Sequence, residues 1–382
     1  MNKHTLYQFN NIILIVMFCL FIYIPFLSGI IQDDKVLSLT EKRNLAPLPL
    51  LPSSLNTLSQ YPIIFNRYYS DHFGYREILT ATYFRLVNKF SHKTVFEHVT
   101  MGQNGWLFLG SVRPGYKGND DPIGDALNVN IFTDNELKAF AHSIMAINHW
   151  LKKRGIKYIY MIAPNKHTIY FEYLPNYLTK LNEQSATDQL LKYLREHTDV
   201  NVVDLRASLF AEKKKHEIYF KTDTHWNHYA ANVAQFTLMN KIKSFFPAQI
   251  KPFLLTDQQF KLFYKEDGDL ATLAKIENIK DDYPNPIFAT DCTPSKQITE
   301  AKEGETQTML CQSKTLNALI FGDSFMTALQ PYLSRNFYRS TYIRETINYS
   351  SLAKYIEQEK PDIVIEEVIE RSLPYIPDSS LF

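Results

Sequence analysis

Cysteine is scarce in this sequence. Of its three cysteines, Cys19 falls inside an apolar run, so Cys292 and Cys311 remain as a single pair outside it. No C-x-x-C and no paired Cys/His spacing occurs, and that pattern argues against a zinc site. An excess of charge of one sign is missing as well. Lys and Arg together number 41 and Asp and Glu 40, a formal net charge of +1. This balance supplies no basic field for nucleic acid and no acidic field for cationic partners. No internal repeat is visible, and no second uncharged run matches the length of the first. What is present is ordinary for a folded protein, with 45% apolar and 21% charged residues in 382. That length suits one large domain or two medium ones. Tyr and Phe number 24 and 26. Composition alone does not separate core aromatics from a sugar-binding surface.

The run from Ile12 to Ile31 reads IILIVMFCLFIYIPFLSGII, without a charge. A helix of about 20 residues crosses a bilayer core, and Pro25 is placed to kink it. The run is long for a cleaved signal, although Ser28 and Gly29 leave cleavage open. Residues 1–31 are therefore read as a membrane anchor or signal segment, with everything after on one side. Cys292 and Cys311 flank the polar stretch TPSKQITEAKEGETQTML. A bridge there would close a loop of roughly 20 residues, worth about 3 kcal/mol in the chain-entropy model. It would point to an oxidising compartment; two unrelated reduced thiols are the other reading. Anchor and bridge together favour an extracytoplasmic domain.

Residues 32–60 include EKRNLAPLPLLPSS, whose prolines predict an extended linker or wrapping arm. The pattern from Tyr61 to Lys89 is amphipathic at helical spacing. Asn104-Gly105 predicts a turn before a short buried strand, and 111–130 reads as loop. From Thr133, which forms a capping-box pattern with Glu136, helices and strands alternate. Helices are predicted to Arg154 and over 186–197, 225–246, 325–336 and 351–360. Strands are predicted at 156–164, 200–205, 216–220, 316–322, 337–345 and 361–369. This alternation implies an α/β fold with a largely parallel sheet, whose sites lie at the carboxyl ends of its strands.

Two motifs sit where such sites form. Phe321-Gly322-Asp323-Ser324-Phe325 follows an apolar strand and opens a helix. A serine on that turn exposes its hydroxyl beside unpaired helix N–H groups. Capping by Asp323 or Ser324 explains the same residues about equally well. Thr222-Asp223-Thr224-His225-Trp226-Asn227-His228 opens the helix of 225–246. There Asp223 can orient His225, and His225 can take a proton from Ser324. The competing readings are an ordinary hydrogen-bonded histidine and a cation held by Asp223, His225 and His228.

The strand followed by G-D-S-F resembles the nucleophile block of the SGNH hydrolase superfamily. D-T-H-W-N upstream of it resembles the alginate O-acetyltransferase family, a group with permuted block order. EKRNLAPLP (41–49), YPIIFNRYYSDHFGYR (61–76), GQNGWLFLG (102–110), APNKHTIY (163–170), GDL (268–270) and PDIVIEEVIERSL (361–373) agree with it. The resemblance implies an SGNH-like three-layer sandwich over 61–382, with no carbohydrate-binding module following. It implies a catalytic triad of Ser324, His225 and Asp223, no cofactor and no metal. Two departures stand out. The usual D-x-x-H is D-x-H here. The usual G-x-N-D is replaced by Ile369-Glu370-Arg371-Ser372, which removes the oxyanion-hole Asn. Arg371 or Asn165 is a candidate substitute, Arg371 having an ion pair with Glu370 or Asp71 as its other reading. The Ser324 N–H is the safer donor. Trp226, Tyr229 and Trp106 are candidates for sugar stacking, with core packing as the alternative.

The implied activity is acetyl transfer through an acetyl-serine to hydroxyls of a secreted, alginate-like polysaccharide. The setting would be the periplasmic face of a bacterial inner membrane. A multi-pass membrane acyltransferase would be the partner supplying acetyl. A polysaccharide acetylesterase and a non-catalytic glycan-binding scaffold are the alternatives.

Overall fold

The computed structural model describes residues 3–31, 34–38, 43–52, 55–76, 78–79, 82, 98–110, 121–266, 268–276, 279–289, 292–297 and 306–373. Contacts divide the chain into two compact units, Met1–Phe96 with Thr272–Glu277, and Glu97–Ala271 with Asn278–Phe382. In the first unit a helix covers Lys3–Ile31 with Pro25 inside it. Its Asn11–Gly29 portion has a mean hydropathy of 2.6. Among the described residues it is the one helix long and apolar enough to cross a membrane. A short antiparallel pair follows, β1 (Leu37–Ser38) with β2 (Arg43–Asn44). The next helix is Leu55–Asp71. It starts within the segment read as an arm, because the helical apolar spacing already begins at Leu55 and Leu58, and Pro62 does not end it. The remainder of the amphipathic stretch, 77 and 80–89, lies largely outside the described residues.

The second unit is an α/β sandwich. β3 (Val99–Met101) and β4 (Leu107–Leu109) form a hairpin. Asn104 and Gly105 turn it with φ of 54° and 79°, as the Asn-Gly pair predicts. β5 (Lys157–Ala163) and β6 (Asn201–Asp204) follow, then the hairpin of β7 (Phe260–Glu266) and β8 (Lys280–Pro286). β9 (Ser295–Gln297), β10 (Gln307–Leu310), β11 (Asn317–Phe321), β12 (Arg339–Ile343) and β13 (Ile363–Ile369) complete the strands. The central sheet runs β6-β5-β13-β11-β12-β10-β9. Pairing is parallel from β6 to β12 and antiparallel at β10 and β9. The register sets Ile369 beside Ala163 and Phe321 beside Glu366. The carboxyl ends of the central strands therefore share one edge.

Both faces of the sheet are covered, which is why its strands read as continuous apolar runs. Ile159, Met161, Ile320 and Ile365 pack on one side against the helices His228–Lys243 and Met326–Leu333. Tyr160, Ile162, Phe321 and Val364 pack on the other against Asp134–Lys152 and Ala186–His197. The Thr133–Glu136 capping box forms, and the chain leaves that helix through Gly155 at φ 74°.

Several local expectations differ from the structure. Pro122–Ala126 is helical within the expected loop, nucleated by the Asp121 cap and Pro122 at its first turn; residues 111–120 lie outside the described residues. Residues 216–220 form no strand beyond an isolated bridge, Tyr219 to Trp226. The Glu217 and Ile218 carbonyls there accept from the Asn227 side chain and backbone N–H. The helix starts at His228 rather than 225, because the Asn227 side chain caps it. The helix Arg206–Glu212 and the β7–β8 hairpin have no counterpart in the sequence reading. The stretch between the cysteines is not all loop: β9 and β10 extend the sheet edge on either side of 298–305, which lie outside the described residues.

Cys292 and Cys311 are joined, their Cα atoms 5.8 Å apart. Alkylation of the oxidised protein should therefore label neither. Cys311→Ser should cost about 3 kcal/mol of unfolding free energy. Labelling of both cysteines would refute the bridge. A second expectation concerns β13. Glu366 is buried there, where it accepts a hydrogen bond from the Tyr158 hydroxyl. Burial pushes its carboxyl up to about 7. The folded state then keeps a proton that the unfolded chain gives up near about 4.3. Stability should fall as pH rises across that window, by on the order of 1.4 kcal/mol per unit. Glu366→Gln should flatten the decline in urea midpoints, and an unchanged slope would exclude Glu366 as its source.

Candidate active site

Where β11 ends, the chain turns sharply at Gly322. Its N–H reaches the Ile343 carbonyl at 3.1 Å. A Cβ on Gly322 would lie 2.8 Å from Glu367 Oε2, so a side chain there would displace the acid beneath it. Asp323 fastens this turn. Its carboxylate accepts the Phe325 N–H at 2.8 Å and the Ile369 N–H at 2.9 Å, and its own N–H donates to Glu367 Oε2 at 3.1 Å. Asp323 thus braces the turn ahead of the helix Met326–Leu333, whose N-terminus has no side-chain cap. The Ser324 hydroxyl, half-buried, lies 2.7 Å from His225 Nε2.

The D-x-H spacing has a local explanation. Asp223 Oδ1 accepts the His225 backbone N–H at 3.0 Å, closing an Asx-type turn. The same oxygen meets His225 Nδ1 at 2.6 Å. One carboxylate oxygen therefore sets both the backbone bend and the ring orientation. Its other oxygen accepts from Lys265 Nζ at 2.6 Å and from the Asp269 N–H at 3.2 Å. Burial alone would push the Asp223 carboxyl up. The His225 hydrogen bond and the Lys265 charge outweigh it and hold the group well below the usual carboxylate range.

The loop carrying these residues is clamped from below. Lys166, buried at 2% exposure, donates to the carbonyls of Phe220, Lys221 and Asp223 at 3.1, 3.1 and 2.8 Å. Three acceptors match the three protons of an ammonium. Burial pulls Lys166 down to about 7, opposed by the charges of Asp269, Asp223 and Asp281. Asp281 holds the Lys221 and Thr222 N–H groups at 2.8 and 3.0 Å. Asp269 holds Thr224 through its N–H at 2.7 Å and its hydroxyl at 2.6 Å.

Asp223, His225 and Asp269 offer donor atoms within 4.8 Å of one another, the one such group among the described residues. These donors are already engaged with Lys265, Thr224 and Ser324. His228 stands apart from them, with Nε2 3.2 Å from the Tyr283 hydroxyl and its pKa lowered by burial to about 4.

A cavity of about 280 Å³ opens beside Ser324, with Arg344, Thr346 and Ser372 among its lining residues. Asn165, Arg371 and Trp226 are not in that lining. The Asn165 N–H goes to Glu370 at 2.9 Å, and its amide nitrogen lies 3.4 Å from Asp125. The Arg371 guanidinium sits 5.6 Å from the Phe325 ring centre. Trp226 is buried and donates its indole N–H to the Phe325 carbonyl at 2.9 Å, beneath the nucleophile turn. Trp106 is buried against Tyr170 and Tyr173, and Tyr229 is covered by His216, with ring centroids 4.0 Å apart. Sequence reading brought Ser324, His225 and Asp223 together. It missed Lys265, Lys166, Asp281 and Glu367 as parts of the site. Asp269 was within reach, since it is the aspartate of the G-D-L patch.

Residues 99–370 match the family described as SGNH hydrolase-like domain, acetyltransferase AlgX. A curated relative, the probable alginate O-acetylase AlgJ of Pseudomonas putida, is 24% identical over 286 residues, 66% of this chain and 70% of the relative. Bacillus cereus PatB1 shares the fold, with a TM-score of 0.51 and 16% identity over 72% of this chain and 96% of that one. The O-acetyltransferase domain of Pseudomonas putida AlgJ aligns with a TM-score of 0.48 and 19% identity, covering 75% and 95%.

The depressed Asp223 carboxyl stabilises the fold fully above about 3.9, the unfolded value, and that contribution is lost as pH falls through the lower folded value. Lys265→Met should raise the Asp223 titration by about one unit or more, or about 1.4 kcal/mol, read by carboxyl ¹³C NMR. An unmoved titration would refute the contribution of this ion pair.

Proposed function

The chain belongs to the SGNH hydrolase-like acetyltransferase AlgX family, and on that premise we propose that it is a serine-dependent O-acetyltransferase acting on an alginate-like polysaccharide. The observation that carries serine dependence is one unbroken line of hydrogen bonds. Ser324 Oγ lies 2.7 Å from His225 Nε2, and His225 Nδ1 lies 2.6 Å from Asp223. With Asp223 ionised, Nδ1 keeps its proton and Nε2 is free to accept one.

The reaction follows as a double displacement. Ser324 Oγ attacks the acetyl carbonyl of the donor while His225 takes its proton. The tetrahedral intermediate collapses, the proton passes to the leaving group, and acetyl-Ser324 remains. A sugar hydroxyl then gives its proton to His225 and attacks the acetyl carbon. Collapse returns the proton to Ser324 Oγ and releases the acetylated sugar. The negative oxygen in each step needs a fixed donor. The Ser324 N–H is suited to this, since it makes no hydrogen bond among the described residues and opens the helix Met326–Leu333. The cavity beside Ser324 is the entry for acetyl donor or sugar.

The domain of 61–382 would carry this chemistry, with 32–60 as its arm and 1–31 as its anchor. An exposed apolar N-terminal helix and a joined cysteine pair support placing the domain on the periplasmic side of the inner membrane. Acetyl groups would then arrive across the bilayer, which calls for a multi-pass membrane acyltransferase as partner. The relative's name supports the choice of polymer.

Supplying the full-length protein with a chromogenic acetyl ester, with and without mannuronate oligosaccharides, tests this reading. Mass spectrometry should find acetylated sugar. Free acetate alone would make the protein an esterase. Ser324→Ala should lower turnover on the order of 10⁶-fold with an unchanged circular dichroism spectrum. Full activity in that variant would remove Ser324 from the mechanism.

A further inference from the structure

The helix Leu55–Asp71 carries three aromatics at four-residue spacing, Tyr61, Phe65 and Tyr69, and Phe73 continues the spacing just past its end. Tyr61, Phe65, Tyr69 and Phe73 follow one another with ring centroids 6.0, 6.4 and 5.6 Å apart. Residues four apart share one helix face. Phe65 and Tyr69 are 41% and 37% exposed, so the middle of the stripe stays partly open among the described residues. Asn66 and Ser70, about 100° further round the helix, are exposed and polar.

The end of this helix is pinned to the end of the apolar span. A Cβ on Gly74 would lie 2.2 Å from the Pro25 carbonyl and 2.6 Å from the Gly29 nitrogen. Backbone thus touches backbone, and both glycines are needed for the approach. Pro25 is buried among neighbours that are mostly exposed, and Gly29 closes the apolar stretch. Asp34, just past the span, holds the Tyr68 hydroxyl at 3.1 Å and lies 3.3 Å from His72 Nδ1. The arm is fastened at the same place. The Ala46 N–H donates to Asp71 at 2.8 Å, and the Ala46 carbonyl meets His72 Nε2 at 2.9 Å. Beyond it Leu50 and Leu51 are 92% and 83% exposed.

We propose that the helix Leu55–Asp71 lies in the membrane interface beside the anchor, with its Tyr61–Phe65–Tyr69–Phe73 stripe and the leucines of the arm in contact with lipid. The occupant is argued from continuity. The stripe begins where the lipid-facing surface of Asn11–Gly29 ends, at the depth where amphipathic aromatic rings are favoured. Its polar face then meets water. A protein partner on this face would instead shield the stripe from lipid and water alike.

The inference rests on the span being retained in a bilayer, and the test separates the two. Full-length protein is placed in vesicles of phosphatidylethanolamine and phosphatidylglycerol. Spin labels are attached at native Cys19, or, in a Cys19→Ala background, at Phe65→Cys, Tyr69→Cys, Asn66→Cys or Ser70→Cys. Collision with lipid-soluble oxygen is compared with that of a water-soluble nickel chelate. The expected result is a several-fold higher oxygen-to-nickel ratio at 65 and 69 than at 66 and 70. A high ratio at Cys19 with uniformly low ratios on the helix would overturn the interfacial helix alone. Positions 65 and 69 shielded from both reagents would overturn it in favour of a protein partner or second copy. A low ratio at Cys19 would overturn the retained anchor and the inference with it.

Discussion

Asp223 is a carboxylate taken out of water, and a buried charge of this kind costs several kcal/mol unless donors replace its hydration. Here the donors are the ring and backbone nitrogens of His225, the Asp269 N–H and the Lys265 ammonium. They come from three separate stretches of chain. The loop before His228, the strand β7 and the residues around Gly268 must all be in place before the histidine is aimed at Ser324. Lys166 applies the same logic one layer down, where its ammonium satisfies three carbonyls of the loop. Of these only the Phe220 carbonyl belongs to 216–220, where the Glu217 and Ile218 carbonyls accept from Asn227 instead.

The nucleophile side is organised by acids on β13. Glu367 lies under Gly322 and takes the Asp323 N–H. Burial, followed by the neighbouring Asp323 charge, holds Glu367 well above the usual carboxylate range. Two close carboxyls avoid ionising together in this way, and Asp323 stays free to accept from Phe325 and Ile369. Glu370, at the end of the strand, accepts from the Asn165 N–H and the Thr187 hydroxyl. The sequence I-E-E-V-I-E therefore fastens the loops at the sheet edge, where the superfamily pattern would have shown G-x-N-D.

The first unit is held together by its own set of contacts. Within it the arm is fixed at Ala46 to the end of the aromatic helix, and Gly74, just past that helix, is fixed to the end of the apolar span.

Periodicity and local chemistry were enough to determine the apolar helix, the alternation of strands and helices, the Thr133 cap, the Asn-Gly turn and the Ser324 turn. Each depends on residues within a few positions of one another, as do the two halves of D-x-H. Other features depended on contacts between residues far apart in the chain. Lys265 reaches Asp223 across 42 positions, from a hairpin whose strands carry exposed polar residues and Pro284, and so gave no strand signal. Lys166 meets its carbonyls 54 to 57 positions away, and lysines are expected at surfaces rather than in cores. Asn165 and Trp226 had side chains suited to the site, but packing turned one toward Asp125 and the other under Phe325. The sequence by itself determined which groups carry the proposed chemistry, because their types and turns are local. The tertiary structure alone decided which buried charges hold them, because a buried charge is satisfied by whatever the fold brings to it.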